Sequence, residues 1–383
     1  MAAIMAALYL HIPFCLSKCH YCSFSSSAGG QELYAPYVAA LILELTRLAE
    51  VKSEITDNPG LDSLFVGGGT PTCLPRELLQ GVIHSSLDLF GTAPGAEISV
   101  EANPGTVDAW YLEALLEVGV NRLSLGVQSF DNRELELVGR VHNKKGACLA
   151  IKAARAAGFD NINLDLMYGL PGQNRDSWRK TLEKGLSFLP EHLSLYQLTI
   201  EPDTPFHTLL ENNTLSLPAE EEIILMDEIT NELCSSAGLH QYETSNYARE
   251  GSECRHNINY WQNADYLAAG ASAVSCMLGV RERRIADPVE YISRINRQES
   301  VVIEKESLSV EDSFRETVIM GLRMVQGVAR TALYERYALE LEDYYGSTLE
   351  KLLALGFLEL TETHLRITSK GWPLSNQIMA ELV

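Results

Sequence analysis

Three cysteines near the start of the chain, Cys15, Cys19 and Cys22, have types and spacing that could bind a metal cluster. They are separated by three and two residues and follow an apolar, strand-like run. Thiolates are the usual protein ligands of iron–sulfur clusters, and three of them within eight residues can hold one face of such a cluster. A [4Fe–4S] cluster bound by three cysteines leaves its fourth iron open to an outside ligand. The spacing therefore predicts an oxygen-sensitive [4Fe–4S] centre.

Zinc is the alternative occupant of these thiolates, with His20 or a distant cysteine as the fourth ligand. Zinc sites usually combine two pairs of cysteines, and the sequence contains no second pair with the same short spacing. The pattern therefore favours the cluster. The remaining cysteines are scattered, which predicts mostly buried thiols rather than a disulfide framework: Cys73, Cys148, Cys234, Cys254 and Cys276.

The composition is that of an ordinary soluble globular protein, with 46% hydrophobic and 21% charged residues over 383 positions. This length leaves room for two or three domains. A formal net charge of −21 disfavours binding to nucleic acid, since phosphate groups require a basic surface. No apolar run approaches the length of a membrane span, and residues 1–8 lack the basic start of a signal peptide. We therefore expect a cytoplasmic protein.

Strand-like runs alternate with helix-like segments from residue 5 to about residue 200. The helix-like segments include Glu32–Val51 and Asn143–Ala157, the second followed by Gly158 as a stop signal. This alternation predicts an α/β fold with a parallel sheet and right-handed crossovers. Because six units occur without a dinucleotide glycine fingerprint, we expect a partial (β/α)6 TIM-like barrel. The predicted strands are Ala7–His11, Leu61–Val66, Glu97–Glu101, Arg122–Val127, Asn161–Leu166 and Leu193–Thr199.

Polar and glycine-rich residues occur at the same end of all six predicted strands. The cysteines follow the first strand, and the others are followed or ended by Gly67–Thr72, Glu101–Gly105, Gln128, Asp165 and Thr199–Pro202. In a barrel, the C-terminal strand ends and their loops build the active site. The six segments therefore predict one shared site.

Several of these residues could bind a polar ligand. The run Gly67–Gly69 lets the backbone approach a ligand closely, although such a run also forms ordinary tight turns. Glu101 could accept hydrogen bonds from ribose hydroxyls or an ammonium group, or could cap a helix. Asp165 lies in an apolar run, where a carboxylate needs a partner such as Arg140 or a ligand. Gln128 and Arg140 could bind a ligand carboxylate or ribose, or could be surface residues.

His256 is a candidate ligand in the second half of the chain. It stands near Tyr260 and Trp261, whose aromatic faces could pack against a flat macrocycle while the imidazole binds its metal. A lone histidine in a loop is more often structural, so this pattern is weak without further support. Cys254 is an alternative soft ligand.

The chain is expected to contain a barrel at residues 1–235, a connecting region that includes His256 at 236–305 and a C-terminal domain at 306–383. Residues 203–300 are expected to be less regular than the barrel. The last domain is predicted to hold helices at Asp312–Met324 and Thr348–Leu355, a hairpin of Phe357–Glu362 and Leu365–Thr368, and a final helix. Helices followed by a small hairpin predict a winged-helix-like domain. Its 12 acidic and 7 basic residues favour a packing or dimer role over DNA binding.

Six segments together resemble the radical SAM family of oxygen-independent coproporphyrinogen III dehydrogenases and their relatives, over nearly the whole chain. They are Tyr9–Cys15, Gly67–Thr72, Glu101–Thr106, Leu123–Phe130, Asp165–Gly172 and Tyr196–Pro202. The dehydrogenases extend the cysteine motif by a fourth cysteine, where this chain has Phe24, and carry an arm before the barrel, where only 14 residues precede Cys15. The chaperone branch carries a His-Asn-x-x-Tyr-Trp haem motif, matched by His256, Asn257, Tyr260 and Trp261. The chain is therefore most similar to the HemW-type haem chaperones.

The resemblance implies three bound groups: a [4Fe–4S] cluster, S-adenosylmethionine (SAM) and haem. Cys15, Cys19 and Cys22 would hold the cluster, and His256 would bind haem. Tyr21 matches an aromatic position that contacts a second SAM in the dehydrogenases. The other positions that match SAM contacts there are Tyr9, Gly68, Gly69, Thr70, Glu101, Gln128, Arg140 and Asp165.

The function implied by the resemblance is haem binding and delivery to respiratory haem proteins, with SAM on the cluster. It leaves open whether the protein cleaves SAM as an enzyme. The alternative is oxidative decarboxylation of coproporphyrinogen III in porphyrin biosynthesis, and a methyltransferase-like enzyme acting on another tetrapyrrole is a third hypothesis. Further expectations are peripheral membrane contact through acceptor proteins and a homodimer.

Overall fold

A twelve-stranded mixed sheet dominates the computed structural model, which describes residues 7–55 and 60–383. Residues 1–6, which the signal-peptide expectation concerns, lie outside the described residues. The strands are β1 (Ala7–Ile12), β2 (Phe14–Cys15), β3 (Ser27–Ala28), β4 (Leu61–Gly68), β5 (Thr92–Ala102), β6 (Arg122–Gln128), β7 (Ile162–Tyr168), β8 (His192–Gln197), β9 (His240–Gln241), β10 (Asn246–Ala248), β11 (Tyr266–Ala269), β12 (Val274–Met277), β13 (Val280–Arg284), β14 (Val302–Ser307), β15 (Val328–Ala329), β16 (Leu358–Leu360) and β17 (His364–Ile367).

Helices follow most of the parallel strands. They are α1 (Tyr34–Ile55), α2 (Arg76–Phe90), α3 (Ala109–Glu117), α4 (Asn132–Leu137), α5 (Lys144–Ala157), α6 (Arg175–Leu186), α7 (Pro205–Glu211), α8 (Glu220–Ser236), α9 (Arg255–Trp261), α10 (Pro288–Asn296), α11 (Val310–Gly321), α12 (Arg330–Tyr337), α13 (Leu341–Ala354) and α14 (Ser375–Ala380). Among the helices of the described residues, none has the length and apolarity needed to cross a lipid bilayer.

The parallel part of the sheet confirms the predicted barrel. Its strands lie in the order β11-β1-β4-β5-β6-β7-β8, so all six predicted strands are neighbours in chain order. Side chains alternate between the two faces of each strand. On β5, Ile98 and Val100 join the apolar core with the outer helices, whereas Glu97, Ser99 and Glu101 form the alternate, polar set. The barrel interior is therefore lined largely by polar groups.

The region expected to be less regular instead contains strands that extend both edges of the sheet. Strands β12, β13 and β14 continue antiparallel beyond β11, and β10 and β9 follow β8. The β13–β14 hairpin is rich in charge and is linked by ion pairs such as Arg283–Glu304 and Lys305–Glu282. Such cross-strand pairs stabilise a hairpin without the apolar alternation that makes a strand visible in sequence.

The C-terminal helices and the small sheet β15-β17-β16 enclose their own apolar core, which includes Phe314, Val318, Leu349 and Leu365. This confirms the winged-helix-like arrangement. Helix α11 begins at Val310, after the N-cap Ser309, and ends at Gly321, slightly earlier than expected. Helix α13 begins before the predicted segment and is kinked at Gly346.

Candidate functional site

A cavity of about 360 Å³ lies inside the barrel. Its lining includes Tyr9, Gly68, Glu101, Asp165 and His256, which the sequence analysis had singled out on five separate segments. The cysteine loop lies beside it, since Phe24 and Ser25 at the end of that loop also line the cavity. The structure therefore brings these five predicted residues together around one cavity.

The cysteine loop is held in place mainly by backbone contacts. Cys15 ends β2, which pairs with β3, and the Cys22 amide donates to the Cys19 carbonyl at 3.3 Å. The His20 amide donates to the Val138 carbonyl, and its ring Nδ1 donates to the Leu137 carbonyl at 2.8 Å. All three thiols are free and partly accessible.

The side chains of Arg140 and Thr70 donate hydrogen bonds to cysteine sulfurs of this loop. Arg140 Nη1 lies 3.3 Å from Cys19 Sγ, and Thr70 Oγ1 lies 3.6 Å from Cys15 Sγ. Donors to sulfur stabilise thiolates and tune the reduction potential of a cluster. The chemistry of this donor set, three thiols with a guanidinium and a hydroxyl beside them, fits a [4Fe–4S] cluster.

Gly68 and Gly69 pack directly against the cysteine loop and the end of β1. A Cβ on Gly69 would lie 2.9 Å from Cys15 Sγ and 2.5 Å from the Phe14 carbonyl oxygen. Gly68 has a positive φ of 114°, and a Cβ there would lie 2.8 Å from the His11 ring. Only glycine fits at these two positions without displacing its neighbours. The two glycines therefore allow the end of β4 to lie in contact with Cys15 and His11.

Tyr9 and His11 form a short chain of hydrogen bonds at the wall of the cavity. His11 Nε2 donates to the Ser25 carbonyl at 2.8 Å, which leaves Nδ1 to accept from the Tyr9 hydroxyl at 3.0 Å. Burial lowers the pKa of His11, so the ring is neutral at pH 7. Tyr9 is therefore fixed in orientation by a neutral imidazole.

Glu101 and Asp165 are half-buried carboxyl groups that both line the cavity. The Gly68 amide donates to Glu101 Oε2 at 3.2 Å. Asp165 accepts hydrogen bonds from Asn163 at 2.7 Å and from Ser124 at 3.1 Å. These two residues, and not Arg140 as suggested from the sequence, are therefore its direct partners. Asp165 also lies in the middle of β7 and not at its end, because the strand continues to Tyr168.

The pKa of Glu101 is raised to about 8, mainly by burial and to a lesser degree by the neighbouring charge of Asp165. Burial also raises the pKa of Asp165. Carboxyl groups with perturbed pKa values in a cavity are typical of functional sites, because their burial is kept at a cost in stability.

We expect Glu101→Gln to stabilise the protein without its cofactors at pH 8. Between about pH 4.5 and 8 the unfolded chain ionises Glu101 while the folded protein keeps the proton, so the folded state loses stability as pH rises. Each unit of pH in this window costs about 1.4 kcal/mol. In urea unfolding, the free energy of unfolding of the variant relative to wild type should therefore increase by about 2 kcal/mol from pH 6 to pH 7.5. Glu304→Gln, in an exposed ion pair, is the control and should differ from wild type by less than about 1 kcal/mol at either pH.

The other predicted SAM contacts lie near the cysteine loop. Gln128 ends β6 with a positive φ of 68°, an uncommon conformation for a residue with a side chain. Tyr21 packs against the apolar cluster that includes Val138, Met167 and Phe206. Arg140 is half-buried, and its buried Nε has no hydrogen-bond partner in the described part of the chain. An orphaned guanidinium nitrogen beside Cys19 fits a role in binding the carboxylate of a ligand.

His256 lies on helix α9 and not in a loop. The backbone amides of Arg255 and His256 donate to the Glu97 carboxylate at 3.0 and 3.3 Å, which fixes the first turn of the helix against β5. The His256 ring is 1% exposed, and both nitrogens are hydrogen-bonded, Nδ1 to Ser63 at 2.9 Å and Nε2 to Tyr260 at 3.0 Å. Burial lowers the pKa of His256 to about 3, so the ring is neutral.

The remaining residues of this motif diverge. Asn257 and Tyr260 line the cavity, whereas Trp261 stacks against the guanidinium of Arg323, 4.7 Å from the ring centre. The Cys254 thiol is fully buried 3.4 Å from Glu97, and burial raises its pKa to about 12. The histidine and the tyrosine therefore face the barrel interior, while the tryptophan faces the C-terminal helices.

Sequence analysis did not single out five further polar residues that line the cavity, namely Arg122, Ser124, Asn163, Ser194 and Tyr196. They alternate with apolar residues along β6, β7 and β8, and that period of two was a signal that could have identified them.

Comparison with known proteins places this geometry in a family. Residues 9–185 match the model of the Radical SAM superfamily, and residues 308–374 match the HemN C-terminal domain. The chain is 36% identical to heme chaperone HemW of Bacillus subtilis, covering 98% of both chains, and 33% identical to heme chaperone HemW of Escherichia coli, covering 97% of both.

The solved structure of coproporphyrinogen III oxidase (HemN) from Escherichia coli, described as a radical SAM enzyme, superposes with a TM-score of 0.85. The match covers 99% of this chain and 90% of that one at 24% identity, and it confirms the radical SAM fold. The chain belongs to the family of the heme chaperone HemW, within the radical SAM superfamily.

Proposed function

We propose that this protein is a haem chaperone, which binds haem and a SAM-ligated [4Fe–4S] cluster and delivers the haem to respiratory haem proteins. The observation that carries the proposal is similarity to heme chaperones along almost the whole chain, including the segment His256–Trp261. Phe24, at the position of the fourth cysteine in the dehydrogenases, is 66% exposed at the cavity. Its phenyl ring can contact an apolar ligand but cannot bind iron.

Cys15, Cys19 and Cys22 are the proposed cluster ligands, and a reduced cluster with SAM supplies one-electron chemistry when both are bound. Arg140 and Thr70 would orient and stabilise the thiolates. The proposed SAM site continues through Tyr9, Gly68, Gly69, Thr70, Glu101, Gln128, Arg140 and Asp165, with Tyr21 at the position of a second SAM. The carboxyl groups of Glu101 and Asp165, which line the cavity, can accept hydrogen bonds from ribose hydroxyls or an ammonium group, which lowers the free energy of the bound ligand.

His256 is the proposed axial ligand of haem. Its Nε2 is engaged by the Tyr260 hydroxyl, so ligation requires Tyr260 to move away from the ring. The neutral imidazole is already in the protonation state that a metal requires. Cys254 remains the alternative ligand, but its thiol must lose both a proton and its contact with Glu97.

The function is tested by offering the reconstituted protein both haem and coproporphyrinogen III. We expect a Soret band that saturates on titration with haem, and no protoporphyrinogen when coproporphyrinogen III is incubated with SAM and a reductant. A coproporphyrinogen III dehydrogenase assayed in parallel provides the positive control. Conversion of coproporphyrinogen III at a comparable rate, without retention of haem, would establish the oxidative decarboxylase instead. Transfer is then measured by mixing haem-loaded protein with an apo respiratory haem protein and following the Soret band of the acceptor.

A further inference from the structure

Two arginines are almost completely buried in this protein, and their surroundings differ. Arg122 and Arg284 are each 2% exposed. Arg284 donates to the Glu44 carboxylate at 2.5 Å and to Ser275 at 3.2 Å, which is the arrangement expected of a structural ion pair. The Arg122 side chain makes no hydrogen bond or ion pair within residues 7–55 and 60–383, and its Nε is buried without a partner. Arg122 nevertheless lines the barrel cavity.

The acidic groups whose charges act on Arg122 are already engaged by other donors. Glu97 accepts from Ser99, from Cys254 and from the first two amides of α9. Asp165 accepts from Asn163 and Ser124. These carboxylates offset the positive charge of Arg122 at a distance, but they do not satisfy its hydrogen-bond donors. Because a buried polar group without a partner is costly, the guanidinium requires an acceptor that enters the cavity.

The depth of Arg122 separates it from the proposed SAM contacts. Ser124 is paired in register with Glu101, whereas Arg122 is paired with Ser99. Arg122 therefore lies about 7 Å deeper along the barrel than the level of Glu101, since a strand rises about 3.3 Å per residue. The wall around it contains the hydroxyl and amide groups of Ser124, Asn163 and Ser194. These groups are neutral, and their own donors are engaged with one another and with Asp165, so the guanidinium is the donor that this wall leaves for a bound anion.

We propose that Arg122 is the anchor of a carboxylate-binding subsite in the barrel interior. A planar guanidinium forms two parallel hydrogen bonds to a carboxylate, which matches its unused donors better than a single water molecule does. The carboxylate belongs either to a small free acid or to a propionate side chain of haem. The free-acid case is independent of the proposed chaperone function, whereas the propionate case rests on it.

Binding of sodium propionate to the protein without haem tests the free-acid case, with propionamide as a neutral molecule of the same shape. Calorimetry should show that wild type binds propionate and not propionamide, and that Arg122→Gln weakens propionate binding by about 10- to 100-fold. Arg133→Gln removes one positive charge from the exposed surface of α4 and should bind propionate as wild type does. Circular dichroism establishes that each variant is folded.

The propionate case is tested by titrating haem and haem dimethyl ester, followed through the Soret band. If Arg122 holds a propionate, wild type should bind haem about 10-fold or more tightly than the ester, and Arg122→Gln should lose this preference. If wild type prefers the free carboxylate in either titration and Arg122→Gln loses this preference, the result supports the subsite. The titration in which this happens shows whether the carboxylate comes from a free acid or from haem. Equal binding by wild type and Arg122→Gln in both titrations would overturn the proposal.

If Arg122→Gln does not fold, the proposal can be tested on the wild-type protein instead. In ¹⁵N spectra, the Nε–H signal of a buried, unpaired arginine should shift on addition of propionate and not of propionamide. Arg122→Lys keeps the charge but removes the planar pair of donors, so it should fold and bind propionate several-fold more weakly. An unchanged wild-type spectrum in the presence of both propionate and haem would contradict the proposal without any variant.

Discussion

Replacement of Cys15, Cys19 and Cys22 by serine should abolish iron binding on anaerobic reconstitution, from about four iron atoms per chain to almost none. The thiolates are the soft ligands that an iron–sulfur cluster requires, and serine keeps nearly the same volume but offers a hard, weakly acidic hydroxyl. The loop itself should persist, because it is held by the pairing of β2 with β3 and by the contacts of His20 with Val138 and Leu137. Iron and sulfide analysis, with the charge-transfer absorbance, measures the loss.

Cys73→Ser is the matched control for this prediction. Cys73 is a partly accessible thiol close to the same loop, with Sγ 3.5 Å from the Phe14 carbonyl, but it lies outside the three-cysteine motif. The control should retain full iron content. Full iron in the triple variant would refute the assignment, and loss of iron in the Cys73 variant would show that this thiol takes part in binding.

The barrel could be predicted because its strands carry local signals. Each parallel strand is covered by helices on one face, so it needs an apolar residue at every second position, and the six segments from Ala7 to Gln197 meet this requirement. Because the cysteine loop and the glycine run directly follow two of these strands, their place at the C-terminal ends of the strands could also be predicted. The strands β12 to β14 escaped prediction because ion pairs such as Arg283–Glu304 stabilise them, and pairing of charges across a hairpin depends on a register that sequence does not show.

The interior of the site was harder to predict because its partners come from different strands. Asp165 was recognised as a carboxylate in need of a partner, but Asn163 on its own strand and Ser124 on β6 provide the hydrogen bonds, and not Arg140. Arg122 was noted only as the start of a strand. Its burial without a partner is a tertiary property, which depends on how Glu97 and Asp165 are engaged elsewhere.

Substitutions at His256 and at Tyr260 should change haem binding in opposite directions, which separates haem ligation by His256 from a structural role. His256→Ala should weaken haem binding by more than about tenfold and shift or abolish the Soret band, because the proposed axial ligand is gone. Tyr260→Phe should instead bind haem at least as tightly as wild type and more rapidly, because no hydroxyl competes for Nε2. Soret titrations and stopped-flow mixing measure the affinity and the rate.

Cluster iron should be unchanged in both variants. His256 is hydrogen-bonded to Ser63 near the start of β4, whereas Gly68 and the cysteine loop lie at the other end of that strand, about 17 Å away. His240→Ala, at an exposed histidine on β9, is the control and should bind haem as wild type does. If His256→Ala retains haem fully, the histidine is structural, since it then serves to link Ser63 to Tyr260, and Cys254→Ser tests the remaining candidate. If haem and iron are lost together, the protein has misfolded, and Tyr260→Phe alone then decides whether Nε2 binds the haem iron.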